Sequence, residues 1–220
     1  MKECKYILFD LDGTVTNPKT GITRAVAYAL RYFGIIVDDL DVLTTFIGPP
    51  LKDSFMNDYG FCEQDADRAI AKYREYFGTV GLYENAVYPG MEHLLQTLVD
   101  RNRTLMIATS KPTVYAVKIL EHFGLIPYFQ FISGSELDGT RTKKGEVIAY
   151  ALAQNGITAL PDVVMVGDRE HDMIGAKENG LAAIGVLYGY GSLAELQSSG
   201  ADAIAEEVDD LHRLLTGGRP

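Results

Sequence analysis

The chain has 220 residues, enough for one sizeable core or for a core with a small second domain. Apolar residues make up 47% of it and none of its apolar runs approaches a membrane span, so a globular protein with no membrane partner is expected. A net charge of −10 withholds the basic footprint that nucleic-acid binding needs, yet leaves room for a phosphorylated small molecule, because a metal ion and a few placed cations can reverse the field locally.

The first predicted strand is the apolar run Tyr6, Ile7, Leu8 and Phe9, which leads straight into Asp10, Leu11, Asp12, Gly13 and Thr14. Two carboxylates one residue apart repel each other, so something positive must sit between them. From about Thr16 to Gly81 the pattern turns helical. Ile22, Ala25, Val26, Ala29, Leu30 and Phe33 form one stripe, ending at Gly34, and Ala66, Ala69, Ile70, Tyr73 and Phe77 form another, ending at Gly78. Residues 16–81 are therefore expected to form an inserted, small, all-helical domain, and 1–15 with 82–220 the core. Connections near Val15–Pro18 and Gly78–Gly81 would allow a hinge.

Strands and helices then alternate. A helical stripe at Met91, Leu94, Leu95 and Leu98 precedes a strand at Leu105–Ala108. A stripe at Val117, Leu120 and Phe123 stops at Gly124, before a weaker strand at Phe129–Ile132. A third, at Val147, Ile148, Ala151 and Leu152, stops at Asn155-Gly156. Strands at Val163–Val166 and Ala183–Leu187 and a weaker one at Ala203–Ala205 follow, and the tail from Thr216 is expected to fray. Continuous apolar strands separated by helices predict an α/β fold with a doubly wound, Rossmann-like parallel sheet. Lys2 and Lys5 are followed by no sustained apolar region, so no export signal is expected. Cys4 and Cys62 suggest reduced thiols in cytoplasm rather than a disulfide framework. His93, His122, His171 and His212 are scattered, without zinc-like spacing.

Ligands of an open parallel sheet bind beyond the carboxyl ends of its strands. After the first strand come Asp10 and Asp12; after Leu105–Ala108 come Thr109, Ser110 and Lys111; after Val163–Val166 comes "GDREHD", with Asp168 and Asp172. Lys144 falls near the start of the helix leading into that last strand. Such a set suits phosphoryl transfer through a covalent intermediate. A carboxylate attacks phosphorus when a metal offsets the charge repulsion. Mg2+ prefers oxygen ligands, which Asp10 and Asp168 supply. A second carboxylate can protonate the leaving alkoxide. Gly13 permits a tight turn with its amides facing a phosphate, and Thr109 and Lys144 can hold the remaining oxygens. Thr14 and Ser110, in the same loops, join Gly13 as candidate substrate contacts.

The ordered set "DLDGT", "TSKP", a downstream lysine and "GDREHD" resembles the haloacid dehalogenase superfamily of phosphohydrolases along nearly the whole chain. The helical insert resembles that superfamily's C1 cap, and the chain is most similar to the phosphoglycolate phosphatase branch, which includes nucleotidases and pyrophosphatases. The resemblance implies Asp10 as nucleophile and Asp12 as general acid and base. It implies Thr109 on the phosphate, Lys144 on phosphate and nucleophile, and Mg2+ held by Asp10, Asp168, Asp172 and the backbone carbonyl of Asp12. Three departures stand out: Ser110 where many relatives have asparagine, "TKKGEVI" in place of a Lys-Pro form, and Arg169 where a small hydroxyl residue is common. Lys143 and Lys144 compete for the lysine role, and Lys144 is taken because it directly precedes "GEVIAYAL".

The implied activity is hydrolysis of a small phosphorylated metabolite, a phosphoglycolate-like ester or a nucleoside monophosphate, by a cytoplasmic monomer or homodimer. The alternatives are a mutase of the β-phosphoglucomutase type, a pyrophosphatase, a phosphonatase using a cap lysine, and a non-enzymatic phospho-acceptor module. In the insert, "FIGPPLKD" is a stiff loop from which Lys52, or Arg24 nearby, could meet a substrate anion; a solvated surface role is the plain alternative. "YGYGSLA", Tyr188 to Ala194, matches a weak dinucleotide fingerprint but has too little chain after it, and is read as a loop at the site's rim.

Overall fold

The computed structural model describes residues 4–217. The chain divides into two compact units, one made of the residues through Asn17 with those from Val87 onward, the other of Pro18–Ala86. The limits lie a few residues beyond the expected 15/16 and 81/82. The chain leaves the first unit through a short strand and returns through another.

In chain order, β1 (Tyr6–Phe9) and the short β2 (Thr16–Asn17) lead to α1 (Lys19–Tyr32), α2 (Leu51–Tyr59) and α3 (Glu63–Tyr76), and β3 (Ala86–Val87) pairs with β2. Then come α4 (Met91–Asp100), β4 (Thr104–Pro112), α5 (Thr113–His122), β5 (Phe129–Ser135), α6 (Lys144–Gln154), β6 (Val163–Gly167), α7 (Glu170–Glu178), β7 (Ala182–Val186), α8 (Leu193–Ser198), β8 (Ala203–Ala205) and α9 (Val208–Thr216). The main sheet has six strands in the order β5-β4-β1-β6-β7-β8, every pair parallel. From β1 the chain builds outward to β4 and β5 on one side, then crosses back to β6, β7 and β8 on the other. That reversal beside β1 is a topological switch point, where parallel sheets open a crevice. Leu8, Met106, Val163, Met165 and Ala183 join Val147, Ile148, Ala151, Met173 and Ala176 in one buried apolar cluster, which covers one face of the sheet.

The strands run longer than their apolar cores. β4 continues through Thr109, Ser110 and Lys111 to Pro112, and its register against β5 shifts between Ala108 and Pro112. The shift is a bulge: extra residues on one strand oppose fewer on the other, which breaks the strict alternation of side chains. Thr216, expected to fray, instead closes α9. It is buried, its hydroxyl donates to His212 C=O at 2.7 Å, and its own carbonyl accepts from Arg101 at 2.6 Å. Gly217 ends the helix in the left-handed region, and Gly218–Pro220 of that tail lie outside the described residues. No helix among the described residues is long and apolar enough to cross a membrane.

In the helical unit α1 buries Ile22, Ala25, Val26, Ala29 and Leu30 of the predicted stripe, while Phe33 caps the helix half-buried and the chain turns at Gly34 with φ of 77°. α3 does not stop at Gly78. It widens into a π turn over Phe77–Gly81. Backbone crowding accounts for glycine at both Gly21 and Gly81: a Cβ on Gly21 would lie 2.0 Å from Gly81 C=O. Helix propensity alone would favour alanine at Gly21 by about 1 kcal/mol. Contact with rigid backbone outweighs that, so Gly21→Ala should destabilise the chain by about 2 kcal/mol. A lowered urea midpoint at unchanged slope checks it; an unchanged midpoint contradicts it.

Candidate active site

β1 lies between β4 and β6, and the register pairs Phe9 with both Ile107 and Val166. The residues just past these positions therefore emerge together at one edge. Asp10 begins the loop, its amide still on the ladder through Val166 C=O at 2.9 Å. The loop then turns sharply. Leu11 C=O accepts from the amides of Val15 and Thr16 at 2.9 Å, and Gly13 takes φ of 86°. A Cβ on Gly13 would sit 2.2 Å from an Asp168 carboxylate oxygen, so both its φ and its neighbour require glycine.

Lys144 is the first residue of α6 and is buried; Lys143, its N-cap, is exposed. The Lys144 ammonium stands 2.7 Å from Asp10 Oδ1 and 2.7 Å from Asp172 Oδ1, and donates to Ala108 C=O at 3.0 Å. Small residues make this approach possible. A Cβ on Gly175 of α7 would come within 2.9 Å of Gly145 N, so the two helices cross backbone to backbone. Asp172 has a second task at the start of α7, where its Oδ2 accepts from Arg169 N at 3.1 Å as half of a capping box. Asp168 is fully buried; its Oδ2 accepts from Tyr190 N at 2.8 Å, and the Thr14 hydroxyl faces its Oδ1 at 3.5 Å. Arg169 reaches away from this carboxylate cluster to Glu195, at 2.8 Å.

The bulge in β4 sets the other side. Thr109 is buried and its hydroxyl accepts from Lys111 N at 3.3 Å. Ser110 C=O accepts from the Ser135 hydroxyl at 2.8 Å. A Cβ on Gly134 would lie 2.4 Å from Lys111 C=O, so the bulge presses on a glycine of β5. Lys111 turns inward, its ammonium 2.7 Å from Asp12 Oδ2. The sequence assigned Lys111 no role, since its direction depends on the bulge and not on spacing. Asp12 Oδ1 is buried with no hydrogen-bond partner.

The electrostatics follow from burial. Asp168 is pushed well above the carboxylate range by burial, then by the charges of Asp172 and Asp10. Burial also raises Asp172, with Lys144 opposing it, and raises Asp12, with Lys111 opposing it. For Lys144 burial works against the charge, but Asp10 and Asp172 outweigh it and hold the group ionised. Asp10, Asp168 and Asp172 each offer a carboxylate oxygen, all within 4.8 Å of one another. Among the described residues four aspartates here meet two ammonium groups, so when ionised the acidic groups are in excess by two. A hard divalent cation with oxygen ligands would balance them, and the donor set fits one.

Arg24 and Lys52 belong to the helical unit and are engaged there. Arg24 pairs with Glu84, and Lys52 lies 3.0 Å from Asp67 and 3.7 Å from Glu63. The "YGYGSLA" loop follows β7, and its Tyr190 amide contacts Asp168 directly. Reading it as rim alone missed that bond, for which the spacing carries no signal.

In metal-stripped protein the raised Asp168 should be visible in stability. A carboxyl whose folded value is raised above its ordinary 3.8 costs nothing below that value. The cost grows as pH rises toward the folded value, because the folded state holds the proton longer than the unfolded one. Asp168→Asn should therefore be more stable than the wild type in chelator at pH 8 by about 1 kcal/mol or more, with the gap closing toward pH 4. Urea unfolding at both pH values checks it; a variant less stable than the wild type at pH 8 contradicts it.

The family model described as haloacid dehalogenase-like hydrolase matches residues 7–186. A 5'-nucleotidase of Pseudomonas aeruginosa is 53% identical over 209 residues, covering 95% of this chain and 94% of its own. The tyrosine-protein kinase PtkA of Mycobacterium tuberculosis is 36% identical over 214 residues, covering 96% of this chain and 72% of its own. The crystal structure of a predicted phosphatase from Clostridium acetobutylicum superposes with a TM-score of 0.95 at 50% identity, covering 98% of this chain and all of that one. Both the family match, which spans β1 to β7, and the high identity to full-length relatives lead to one conclusion: the chain belongs to the haloacid dehalogenase-like hydrolases.

Proposed function

We propose that this hydrolase is a Mg2+-dependent phosphatase that cleaves a small phosphomonoester through an aspartyl phosphate on Asp10. The observation that carries the reading is the Asp10 carboxylate, pinned through Oδ1 to Lys144 beside two further buried aspartates. That contact orients the carboxylate and leaves its other oxygen to attack phosphorus. Asp10, Asp168 and Asp172, with the Asp12 carbonyl, would hold Mg2+. When bound, that ion would offset the repulsion between the phosphoryl group and the nucleophile.

In the first step a bond forms between Asp10 Oδ and phosphorus, and the bond from phosphorus to the ester oxygen breaks. Asp12 gives its proton to the departing alkoxide. In the second step water attacks the aspartyl phosphate, Asp12 takes a proton from it, and Asp10 is released with inorganic phosphate. Burial raises the Asp12 carboxyl, which favours its acid form before the first step. Thr109, Lys144 and the amides of the turn at Gly13 bind the remaining phosphoryl oxygens. Thr14 and Ser110 line the same loops. The helical unit would act as the cap that recognises the rest of the substrate, with Lys52 and Arg24 its candidate cationic contacts.

The relative named 5'-nucleotidase favours a nucleoside monophosphate as substrate, with a phosphoglycolate-like ester second. A phosphonatase is disfavoured. Its lysine must lose a proton to form a Schiff base, whereas Asp67 holds the Lys52 ammonium above its usual value. A panel of nucleoside monophosphates, phosphoglycolate and p-nitrophenyl phosphate, with phosphate release as readout, tests the reading. Dependence on a bisphosphate primer would indicate a mutase instead, and release of phosphate from none of them would overturn the proposal.

Two predictions follow from the chemistry. Asp10→Asn should keep the fold and lower kcat by at least about a thousandfold, as loss of a nucleophile does elsewhere; substantial turnover by pure, folded variant would contradict it. Activity should vanish in chelator, return with Mg2+ and return poorly with Ca2+, whose longer and more numerous bonds could engage both oxygens of Asp10. Equal rates with the two ions would contradict this.

A further inference from the structure

The loop Tyr188-Gly189-Tyr190-Gly191 lies over Asp168 closely enough that side chains are excluded. A Cβ on Gly189 would sit 2.3 Å from Asp168 Cβ, and one on Gly191 would sit 2.0 Å from Asp168 C=O. Between the two glycines the Tyr190 amide donates to Asp168 Oδ2 at 2.8 Å. That bond uses one carboxylate oxygen and fixes the rotation of the group.

The flanking rings anchor the loop elsewhere. The Tyr188 hydroxyl donates to Thr14 C=O at 3.1 Å, in the turn that follows Asp12. The Tyr190 hydroxyl donates to Asn17 Oδ1 at 2.6 Å. Tyr88 packs edge-on against Tyr188, with centroids 4.8 Å apart. Burial holds all three phenols above their ordinary range, so they remain protonated donors at neutral pH. On the far side, Glu195 of α8 accepts from Arg169 Nε at 2.8 Å and from Glu170 N at 2.9 Å, tying α8 to the start of α7.

The positions of these anchors matter. Asn17 ends β2, where the chain departs for the helical unit, and Tyr88 follows β3, where it returns. One short loop therefore holds Asp168 and grips both connecting segments. We propose that the Tyr188–Gly191 loop is a positioning clasp, which presets Asp168 for a divalent cation and couples cation binding to the order of the two segments joining the units. Tyr188 and Tyr190 are positioning residues, since neither side chain reaches the reacting atoms. Partners that orient a metal-ligating carboxylate tune its affinity. Reciprocity then requires that the bound cation stabilise the clasp and its anchors. The inference rests on the reading of Asp10, Asp168 and Asp172 as a cation site.

The test is Mg2+ titration by isothermal calorimetry on the full chain, without substrate, for the wild type, Tyr190→Phe, Asn17→Ala and the double variant. Tyr190→Phe removes the hydroxyl contacts but keeps the amide on Asp168. It should weaken Mg2+ by about fivefold, the order of one lost hydrogen bond. Asn17→Ala should do the same, although the Asn17 side chain is bonded to the clasp and not to the carboxylates. The double variant should be no weaker than either single one, because both break the same bond. In hydrogen exchange Mg2+ should protect the amides of residues 14–17 and 86–88 in the wild type and lose that effect in Tyr190→Phe. Tyr188→Phe serves the same purpose should Tyr190→Phe fail to fold. A purely structural role would lower the melting temperature in chelator and leave Mg2+ affinity within about twofold of the wild type; that result, or additive losses in the double variant, overturns the clasp. No saturable Mg2+ binding by the wild type would overturn the cation site itself, and the clasp with it.

Discussion

The Lys144 ammonium, buried between Asp10 and Asp172, is the contact on which the rest of the site depends. It sits where a cation is least welcome. Burial strips its water, and the first turn of α6 presents the positive end of a helix dipole. Two carboxylates at close range, with the Ala108 carbonyl, hold it there, and the surrounding structure keeps the carboxylates close. Gly145 and Gly175 let α6 and α7 touch, the capping box fixes Asp172, and Gly167 leaves room for that side chain, since a Cβ there would lie 2.2 Å from Asp172 Cγ. Loss of any of these would leave a desolvated charge without its partner, which costs several kcal/mol.

Asp168 represents the opposite case. Among the described residues it has two neutral donors and no cation at hydrogen-bond distance, and its neighbours Asp10 and Asp172 repel its charge. A folded protein keeps such a group only where other interactions outweigh its cost, and here the packing of β6, α7 and the loop after β7 does so. The unbalanced charge is a property of the chain alone, and it is what makes a hard cation a fitting occupant.

Much of this was legible in the sequence. The apolar runs Tyr6–Phe9, Leu105–Ala108 and Val163–Val166 marked the three strands whose ends carry Asp10, Thr109 and Asp168, because strands buried on both faces need uninterrupted apolar side chains. Lys144 was separable from Lys143 by its place at the start of a helical pattern. What stayed hidden depended on irregular backbone. The bulge after Ala108 interrupts the strand alternation from which the direction of Lys111 would have been read. The bond from the Tyr190 amide to Asp168 is made by main chain, which carries no residue-type signature. The π turn at Phe77–Gly81 answers a contact with Gly21, 60 residues earlier in the chain, and no local pattern records it.

The ion pair of Lys144 with Asp10 spans 134 residues. Contacts so distant in sequence form late, after the loop-closure entropy between them has been overcome. A chain emerging from the ribosome carries Asp10 and Asp12 first and receives Lys144 and Asp168 only after most of its length is made. Asp12 can meet Lys111 once β4 pairs with β1, but until α6 takes its place Asp10 has no lysine partner and must remain hydrated. Assembly of the cluster of Asp10, Lys144, Asp168 and Asp172 therefore waits on the completion of the sheet, and a chain released before β6 docks carries these groups far apart.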